Sequence, residues 1–298
     1  MINQRIFRVK RFEKKETMLR EYELPKKIIE ILIIIASIVF SIGLLGWLGL
    51  QIKPQSFPVY SLNKIQQRET ISLPAGLPKP VEHFYRVLYG DEIPVIKTVV
   101  IQGRGVIKPF MNIPIPVRFI FAHNAGKDYC HYFEATLFGI PIIKLNEGYI
   151  DEKSFFISPW GSYYDDANAN QGANLVVWAE AIWFPSLWIT DQRAHWEPVN
   201  DNTALLYVPY EDGEENFVVR FNPQTGKIDM MEAMRYRDQG ENKDKILWIV
   251  RSDEKQLEPG TGVISVGSVM WLDQGKPWAY FNIEELDFNV EVNAYIHQ

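Results

Sequence analysis

Three carboxylates are the residues best placed to do chemistry: Glu180, Asp165 and Asp166. Glu180 is the only charged residue in the apolar stretch 175–189, LVVWAEAIWFPSLWI, and the two aspartates precede that stretch. Two carboxyl groups can share the roles of general acid and base in glycoside hydrolysis. The five tryptophans between positions 160 and 196 offer rings on which a sugar can stack. One hypothesis is therefore a hydrolase-like enzyme that uses these three carboxylates.

The apolar surroundings of Glu180 predict a buried carboxylate. Burial costs free energy unless a cation pairs with the group or the group stays protonated. We expect a cation, and the candidates are four arginines elsewhere in the chain: Arg118, Arg193, Arg220 and Arg235. A structural ion pair and a tuned acid or base in a pocket both remain open for Glu180.

Oxygen donors alternate at Asp166, Asn168 and Asn170, which is a calcium-like spacing. A calcium loop of the EF-hand type then needs glycine and glutamate at positions where this chain has Gln171 and Val177. The alternative is a turn whose side chains cap the helix that follows. We expect the turn and the cap, and no metal at this segment.

His123 and His131 lie on adjoining strands of one predicted hairpin and can share a face. Two histidines without a third ligand are too few to predict a metal site, and Cys130 next to His131 points to the opposite face. Cys130 is the only cysteine, which excludes an intramolecular disulfide and a zinc site built from cysteines. We therefore expect no cofactor.

An apolar helix is expected to carry Glu180. The stretch 175–189 is apolar on every side, which is typical of a helix that is buried or lies at an interface. Fifteen residues are too few to cross a bilayer, and Pro185 is expected to stop the helix. The predicted ligand-binding residues lie on this stretch: Trp178, Glu180, Trp183, Phe184 and Trp188.

Most of the remaining chain has strand character. Apolar and polar residues alternate in runs such as PVRFIFAH, YCHYFEATLFG and WAYFNIEELDFNVEVNAYIH, and short turns such as FNPQTGK at 221–227 separate the runs. Successive hairpins favour an antiparallel meander over a parallel sheet. The predicted fold class is α+β and mainly antiparallel β: a curved meander sheet, or half-barrel, packed on one or two helices and preceded by one N-terminal transmembrane helix.

The strongest signal in the chain is the apolar run 31–50, ILIIIASIVFSIGLLGWLGL. A helix of this length covers roughly 30 Å, the hydrocarbon thickness of a bilayer. Residues 1–27 hold nine Lys and Arg against four Glu, which predicts a cytoplasmic N-terminus. The run is longer than the apolar part of a cleaved signal peptide. We therefore predict an uncleaved signal anchor in the cell membrane and an extracytoplasmic main domain.

Four segments follow from these signals. They are a cytoplasmic basic segment at 1–27, the signal anchor at 28–50, a proline-rich connector at 51–80 and one extracytoplasmic β-rich domain at 81–298. Met1 and Met18 are both candidates for the initiator. Residues 51–298 hold 22 Lys and Arg against 32 Asp and Glu, and such an acidic domain excludes nucleic acid as a partner.

Short motifs spread over 55–298 carry a family resemblance. Among them are LP at 77–78, FYR at 84–86, PVRF at 116–119, WAEAIWFPS at 178–186, WEPV at 196–199 and GKI at 226–228. These residues resemble a bacterial and archaeal family of unknown function. The resemblance implies no activity, but it directs attention to Glu180. The predicted architecture also resembles the lipoprotein-carrier half-barrels of the periplasm, in which a curved sheet wraps an apolar ligand cavity.

The favoured hypothesis is a membrane-anchored extracytoplasmic protein that binds an apolar or amphipathic, lipid-like ligand without catalysis. It depends on the anchor, the many aromatic residues and the apolar helix. The first alternative is the carboxylate hydrolase, and the second is a module that docks another envelope protein through exposed aromatic residues. The expected partner is the membrane, through residues 31–50, and the oligomeric state stays open.

Overall fold

The computed structural model describes residues 25–60, 69–109, 111–237, 239–240, 243–256 and 264–297. The chain divides into two compact units, Met1–Leu48 and Gly49–Gln298. The choice between Met1 and Met18 lies outside the described residues, and so does most of the predicted basic segment 1–27. Each unit is considered by itself below.

The first unit contains most of helix α1 (Lys26–Leu50). The large apolar side chains of this helix are exposed along its length. Among the described residues it is the one helix long and apolar enough to cross a membrane. Its 25 residues rise about 37 Å. The predicted N-terminal apolar helix is therefore present.

The second unit is built mainly from antiparallel strands. The strands are β1 (Thr70–Ser72), β2 (Glu92–Pro94), β3 (Thr98–Ile107), β4 (Ile115–Asn124), β5 (Asp128–Leu137), β6 (Ile140–Ile150), β7 (Lys153–Ser158), β8 (Gly161–Tyr164), β9 (His195–Asn200), β10 (Thr203–Tyr210), β11 (Gly213–Phe221), β12 (Ile228–Tyr236), β13 (Lys245–Gln256), β14 (Ile264–Trp271) and β15 (Pro277–Phe288). Its helices are α2 (Lys79–Tyr89), α3 (Ala167–Ala179), α4 (Leu187–Thr190) and α5 (Asn293–Ile296), with 3-10 turns at Glu180–Trp183 and Leu272–Gln274.

Thirteen strands form one curved sheet in the order β8-β7-β6-β5-β4-β3-β15-β14-β13-β12-β11-β10-β9. Every pairing is antiparallel, and strands β3 to β8 and β9 to β15 are two meanders that meet where β15 pairs with β3. Strands β1 and β2 form a separate pair. The predicted fold class, a curved antiparallel meander packed on a few helices, is confirmed.

Strand alternation gives the sheet two different faces. In β3, Val99 and Ile101 belong to the main hydrophobic core, whereas Val100 belongs to a smaller cluster with Ala122 and Cys130. Successive side chains of a strand point to opposite sides, so the two clusters lie on opposite faces. We call the face with Val99 the inner face and the face with Val100 the outer face.

Helix α2 packs on the inner face. Val81, Phe84 and Tyr85 are buried, and the Tyr85 hydroxyl donates a hydrogen bond to the Pro185 carbonyl over 2.7 Å. The helix ends at Gly90, whose φ of 77° is a conformation that glycine adopts without strain.

Helix α3 ends earlier than its sequence predicts. Its regular part stops at Ala179, and a 3-10 turn over Glu180–Trp183 leads to Phe184, which has left the helical region with a φ of −144°. A residue before proline is driven out of the helical conformation, so Pro185 acts several residues upstream of itself. As a result Glu180 lies at the C-terminal end of the helix and not in its middle.

Candidate functional site

Two histidines and one glutamate meet in the interior of the domain. The Glu180 Oε2 atom lies 2.9 Å from His131 Nε2 and 3.0 Å from His123 Nε2. Both imidazoles are buried, and the Glu180 side chain is only 14% exposed. Within the described part of the chain, His123 Nε2 makes no hydrogen bond of regular geometry, although it lies 3.0 Å from Glu180 Oε2. We call these three residues the His–Glu cluster.

The sheet register brings the two histidines together. Residue 121 of β4 pairs with His131 of β5, so His123 and His131 are diagonal neighbours on the inner face. Glu180 comes from the end of α3, where the partial negative charge of the helix disfavours a carboxylate. A cation beside Glu180 offsets that cost, and the sheet supplies it in His131.

Neighbouring side chains fix the orientation of the rings. His131 stacks on Phe121 with ring centroids 3.9 Å apart, and His123 packs against Phe184 at 5.5 Å. On the far side of its ring, His131 Nδ1 lies 3.3 Å from Oε1 of Glu147, its register partner on β6. Both nitrogens of His131 are therefore engaged, one by Glu180 and the other by Glu147.

The cluster holds a buried ion pair at neutral pH. Burial opposes ionisation of Glu180, but the charge of His131 and the close contacts with the rings of His123 and His131 outweigh this and lower the Glu180 pKa to about 2. Burial likewise opposes charging of His131, but Glu180 and Glu147 together raise the His131 pKa to about 9. Burial lowers the pKa of His123, which is therefore neutral. The cluster contains one imidazolium, one carboxylate and one neutral imidazole.

These pKa values predict a maximum of stability near pH 6.5 in buffer free of divalent metal. In the unfolded chain a histidine has a pKa of about 6.5. Protonated His131 therefore stabilises the fold in full below about pH 6.5, and this stabilisation is lost as the pH rises through about 9. On the acid side, protonation of His123 favours the unfolded chain below about pH 6.5. The Glu180 contribution is lost as the pH falls from 4.5 towards about 2.

Urea denaturation at pH 5, 6.5 and 9.5 measures this dependence. We expect the free energy of unfolding to be lower at pH 9.5 than at pH 6.5 by an amount on the order of 2 kcal/mol. His131→Gln removes the titrating group, so we expect its free energy of unfolding to differ much less between pH 6.5 and pH 9.5. If the free energy of unfolding of His131→Gln decreases just as much between pH 6.5 and pH 9.5, His131 is not the group responsible.

The predicted arginine partners of Glu180 are wrong. Each of the four is engaged elsewhere: Arg118 pairs with Glu134, Arg193 with Asp191 and Arg220 with Glu232, while Arg235 lies over the rings of Trp248 and Trp271. Glu180 is mostly, but not fully, buried, and the group paired with it is His131 instead of an arginine. The sequence signal for His131 as this partner is that strand alternation places it on the same inner face as Phe121 and Phe133.

The candidate hydrolytic carboxylates are far apart. Asp166 is the N-cap of α3 and accepts a hydrogen bond from the Ala169 amide over 3.0 Å, whereas Glu180 lies just beyond the other end of that helix. Thirteen helical residues separate these ends by about 20 Å. Asp165 is paired with Lys153 at 2.8 Å. Glycosidase carboxyl groups lie within about 10 Å of one another, so Glu180, Asp165 and Asp166 do not form such a pair.

The calcium-like spacing is accounted for by the helix cap. Asn170 Oδ1 accepts hydrogen bonds from the amide and hydroxyl of Ser154, and Asn168 Nδ2 donates to the Gly240 carbonyl. With Asp166 as N-cap, these side chains fasten the start of α3 to β7 and to the segment after β12. The predicted turn and cap are present.

The aromatic residues predicted to bind a ligand fill the core. Trp178, Trp183, Phe184 and Trp188 are at most 4% exposed, and Trp188 Nε1 donates to the Trp178 carbonyl over 3.0 Å. The cavity that Glu180 and Trp183 line has a volume of about 30 Å³. That volume is about the space of one water molecule. The cavity at Glu180 and Trp183 therefore has no room for a lipid chain, whereas Trp178 also lines a separate, mainly polar cleft of about 470 Å³.

The segment Gly49–Tyr60 is fastened across the outer face of the sheet. Arg104 Nη1 donates to the Pro54 carbonyl over 3.0 Å, Arg118 Nη1 to the Gln55 carbonyl over 3.2 Å, and Gln102 Nε2 to the Pro58 carbonyl over 3.0 Å. Beyond Gly49 and Leu50, which end α1, the segment lacks regular secondary structure, so side chains of β3 and β4 satisfy its carbonyls. We call this segment the strap.

A cleft lies where the start of the strap meets the sheet. Its volume is about 440 Å³. The strap contributes Leu50, Gln51, Lys53 and Pro54, and the opposite wall comes from β3, β15 and the turn before β4. The walls are mainly apolar, and the apolar lining residues include Val106, Pro114, Pro116 and Tyr280. We call it the strap cleft, and sequence analysis missed it because contacts of residues distant in the chain build it.

Three solved structures are similar to the chain in fold. A LolA-superfamily protein from Nitrosomonas europaea is 7% identical, with a TM-score of 0.45, over 74% of this chain and 96% of that one. A domain of an outer-membrane lipoprotein-sorting protein from Vibrio parahaemolyticus is 8% identical, with a TM-score of 0.38, over 66% and 88%. A DUF1329 family protein from Desulfovibrio piger is 10% identical, with a TM-score of 0.41, over 73% and 95%.

These similarities concern the fold alone. No curated protein matches the sequence significantly. The profile of one family, described as a family of unknown function, matches residues 66–283, which is more than half of the chain. This match confirms the family resemblance that the motifs indicate. The chain belongs to that family of unknown function, DUF6544.

Proposed function

We propose that this protein is a membrane-anchored, extracytoplasmic binding protein that holds an anionic amphipathic ligand in the strap cleft without catalysis. The observation that carries the proposal is the strap cleft itself. It has apolar walls, and one wall is the chain that directly follows the apolar run 31–50. Its volume of about 440 Å³ falls in the range of about 300–1,000 Å³ that is typical of small-molecule sites.

The charges around the strap cleft favour an anionic head group. Arg104 of β3 forms a salt bridge with Glu284 of β15 at 2.6 Å. This salt bridge links the two strands that line the cleft, so the charge of Arg104 is not available to a ligand. Lys53 lines the same cleft and has no carboxylate within ion-pair distance in the described part of the chain. An ammonium group on a flexible stem can reach an anionic head group while apolar walls cover the chain below it.

The rest of the proposal concerns the four segments. We infer that the basic segment 1–27 is cytoplasmic, that 28–50 is the anchor, that 51–80 connects it to the domain, and that 81–298 lies outside the cytoplasm. The excess of Lys and Arg before the apolar run supports this orientation. Strand β1 and the start of α2 fall within the inferred connector.

Photo-crosslinking in lipid nanodiscs tests the ligand site. The full chain is placed in nanodiscs that contain an anionic phospholipid with a photoreactive acyl chain, and crosslinked peptides are identified by mass spectrometry. We expect crosslinks in β3 around Val106 and in the turn at 114–116, in addition to those in α1. Val106→Trp fills the cleft and is expected to reduce the crosslinks at 114–116 at least several-fold.

Val199→Trp is the matched control. Val199 is 53% exposed on the edge strand β9, so the same added ring leaves the strap cleft unchanged. Crosslinks confined to α1, or crosslinks at 114–116 that are unchanged in Val106→Trp, would refute the strap cleft as a ligand site.

A further inference from the structure

We propose that the His–Glu cluster is a binding site for one divalent transition-metal ion of the zinc type. The three donor atoms, two imidazole nitrogens and one carboxylate oxygen, all lie within 4.8 Å of one another. Two histidines and a glutamate are a known ligand set for zinc with an open coordination position. The inference is independent of the proposed function, because the cluster lies on the inner face and the strap cleft on the outer face.

The two distances from the carboxylate to the imidazoles are close to those that a bound ion requires. Zinc–nitrogen and zinc–oxygen bonds of about 2.0–2.2 Å in a tetrahedron put neighbouring ligand atoms about 3.3–3.5 Å apart. Glu180 Oε2 is 2.9 Å and 3.0 Å from the two imidazole nitrogens, so a shift of about 0.5 Å in the carboxylate makes room for an ion. A change of the Glu180 rotamer near the end of a helix can provide that shift.

An unpartnered nitrogen points into the cluster. His123 is 1% exposed, and its Nε2 atom has no hydrogen bond within the described residues, although its ring lies between Phe184 and Tyr129. A buried polar atom without a partner is energetically unfavourable. A metal ion bound by this nitrogen would remove that cost. A purely structural ion pair between Glu180 and His131 leaves the cost unexplained.

The surroundings of His131 are those of a metal ligand. Glu147 Oε1 lies 3.3 Å from His131 Nδ1, and Nε2 faces the cluster, where a bound ion would displace to solvent the proton that this nitrogen carries in the metal-free protein. A carboxylate behind a histidine fixes the tautomer and the ring orientation that a metal requires. The stacking of His131 on Phe121 restricts the ring further. Glu147 is therefore a positioning residue, and the two histidines and Glu180 are the ligands.

The donor set selects the kind of ion. Imidazole nitrogens suit zinc, copper, nickel and ferrous iron, whereas calcium and magnesium prefer sites made only of oxygen atoms. Cys130 is a neighbour of His131 in sequence but belongs to the outer-face cluster, so no thiolate reaches the site. We therefore infer a divalent transition metal such as zinc, with a fourth coordination position open to water or to a small ligand.

Cobalt and zinc titrations of the full chain test this inference. The protein carries an affinity tag without histidine, is purified in detergent and is freed of metal with a chelator. We expect one equivalent of Co²⁺ to produce visible ligand-field absorption, and one equivalent of Zn²⁺ to abolish it. His123→Gln is expected to weaken binding about 100-fold or more, and Glu147→Gln about 10- to 100-fold with a similar spectrum.

His195→Gln is the matched control for adventitious binding. His195 is exposed beside Glu214, so its loss is expected to leave the titration unchanged. Absence of saturable binding in the unmodified chain, or equal affinity in His123→Gln, overturns the inference. If His123→Gln does not fold, anomalous scattering from zinc-soaked crystals of the unmodified chain decides. A peak bonded to both histidines and Glu180 supports the site, and zinc found only elsewhere overturns it.

Discussion

Replacement of Glu180 by leucine is expected to lower the free energy of unfolding by about 3 kcal/mol in metal-free buffer at pH 7. The carboxylate pairs with the buried imidazole of His131 at 2.9 Å and lies 3.0 Å from that of His123. Removing one member of a buried pair strands the other charge, which costs about 3–5 kcal/mol. The lower figure applies because His131 can release its proton when its counterion is gone. Equilibrium urea denaturation measures the difference.

Two further variants separate charge from shape at this position. Glu180→Gln keeps the side-chain volume and a hydrogen-bonding oxygen, so we expect about half of the loss seen with leucine. Glu152→Gln removes an exposed carboxylate and is expected to change stability by less than about 0.5 kcal/mol. A Glu180→Leu protein as stable as the unmodified chain would contradict a paired, buried Glu180.

Protease added to intact spheroplasts is expected to digest residues 51–298 completely and to leave residues 1–27 protected. The reason is the orientation proposed from the basic segment, which keeps the N-terminus in the cytoplasm and α1 in the membrane. Epitope tags at the two termini, followed by immunoblotting, report each side of the membrane. The N-terminal tag should become sensitive only after lysis.

Two results would overturn that topology. One is a mature protein that lacks residues 1–50 and is found in the soluble fraction, which would mean that the apolar run is a cleaved signal. The other is a C-terminal tag that resists protease until lysis. Inverting the charge of residues 1–27 offers a complementary test, because the orientation depends on Lys and Arg near the span.

The fold is predictable from the sequence because its determinants are local. Alternation over PVRFIFAH and YCHYFEATLFG assigns inner and outer faces, and Gly90, a residue type that commonly ends helices, ends α2. The turn after Phe221 has the predicted geometry: Gly226 takes a φ of 69° and donates its amide to the Asn222 carbonyl. Each of these features depends on a few neighbouring residues.

The His–Glu cluster is only half predictable. Alternation places His123 and His131 on one face, and the apolar context predicts that Glu180 is buried beside a cation. Their meeting depends on where α3 ends over the sheet, and that is set by Pro185 and by tertiary packing. Glu147 was missed because its role depends on the β5–β6 register, which the sequence does not specify by itself.

The strap cleft lies beyond sequence-based prediction for a related reason. The strap has no periodic pattern, and its position depends on single hydrogen bonds from Arg104, Arg118 and Gln102 to its carbonyls. Gly105 of β3 also matters, because it lines the cleft and a side chain there would collide with the Tyr280 carbonyl of the neighbouring strand β15. Such close approaches between distant segments have no local signature.

Native mass spectrometry of the full chain released from nanodiscs tests the proposed ligand-binding function most directly. The account predicts one anionic amphipathic molecule retained per chain, in the unmodified protein and in Val199→Trp alike. It predicts that Val106→Trp, with its strap cleft filled, retains none. A chain released without any bound amphipath, or a Val106→Trp protein that retains as much as the unmodified chain, would contradict the account.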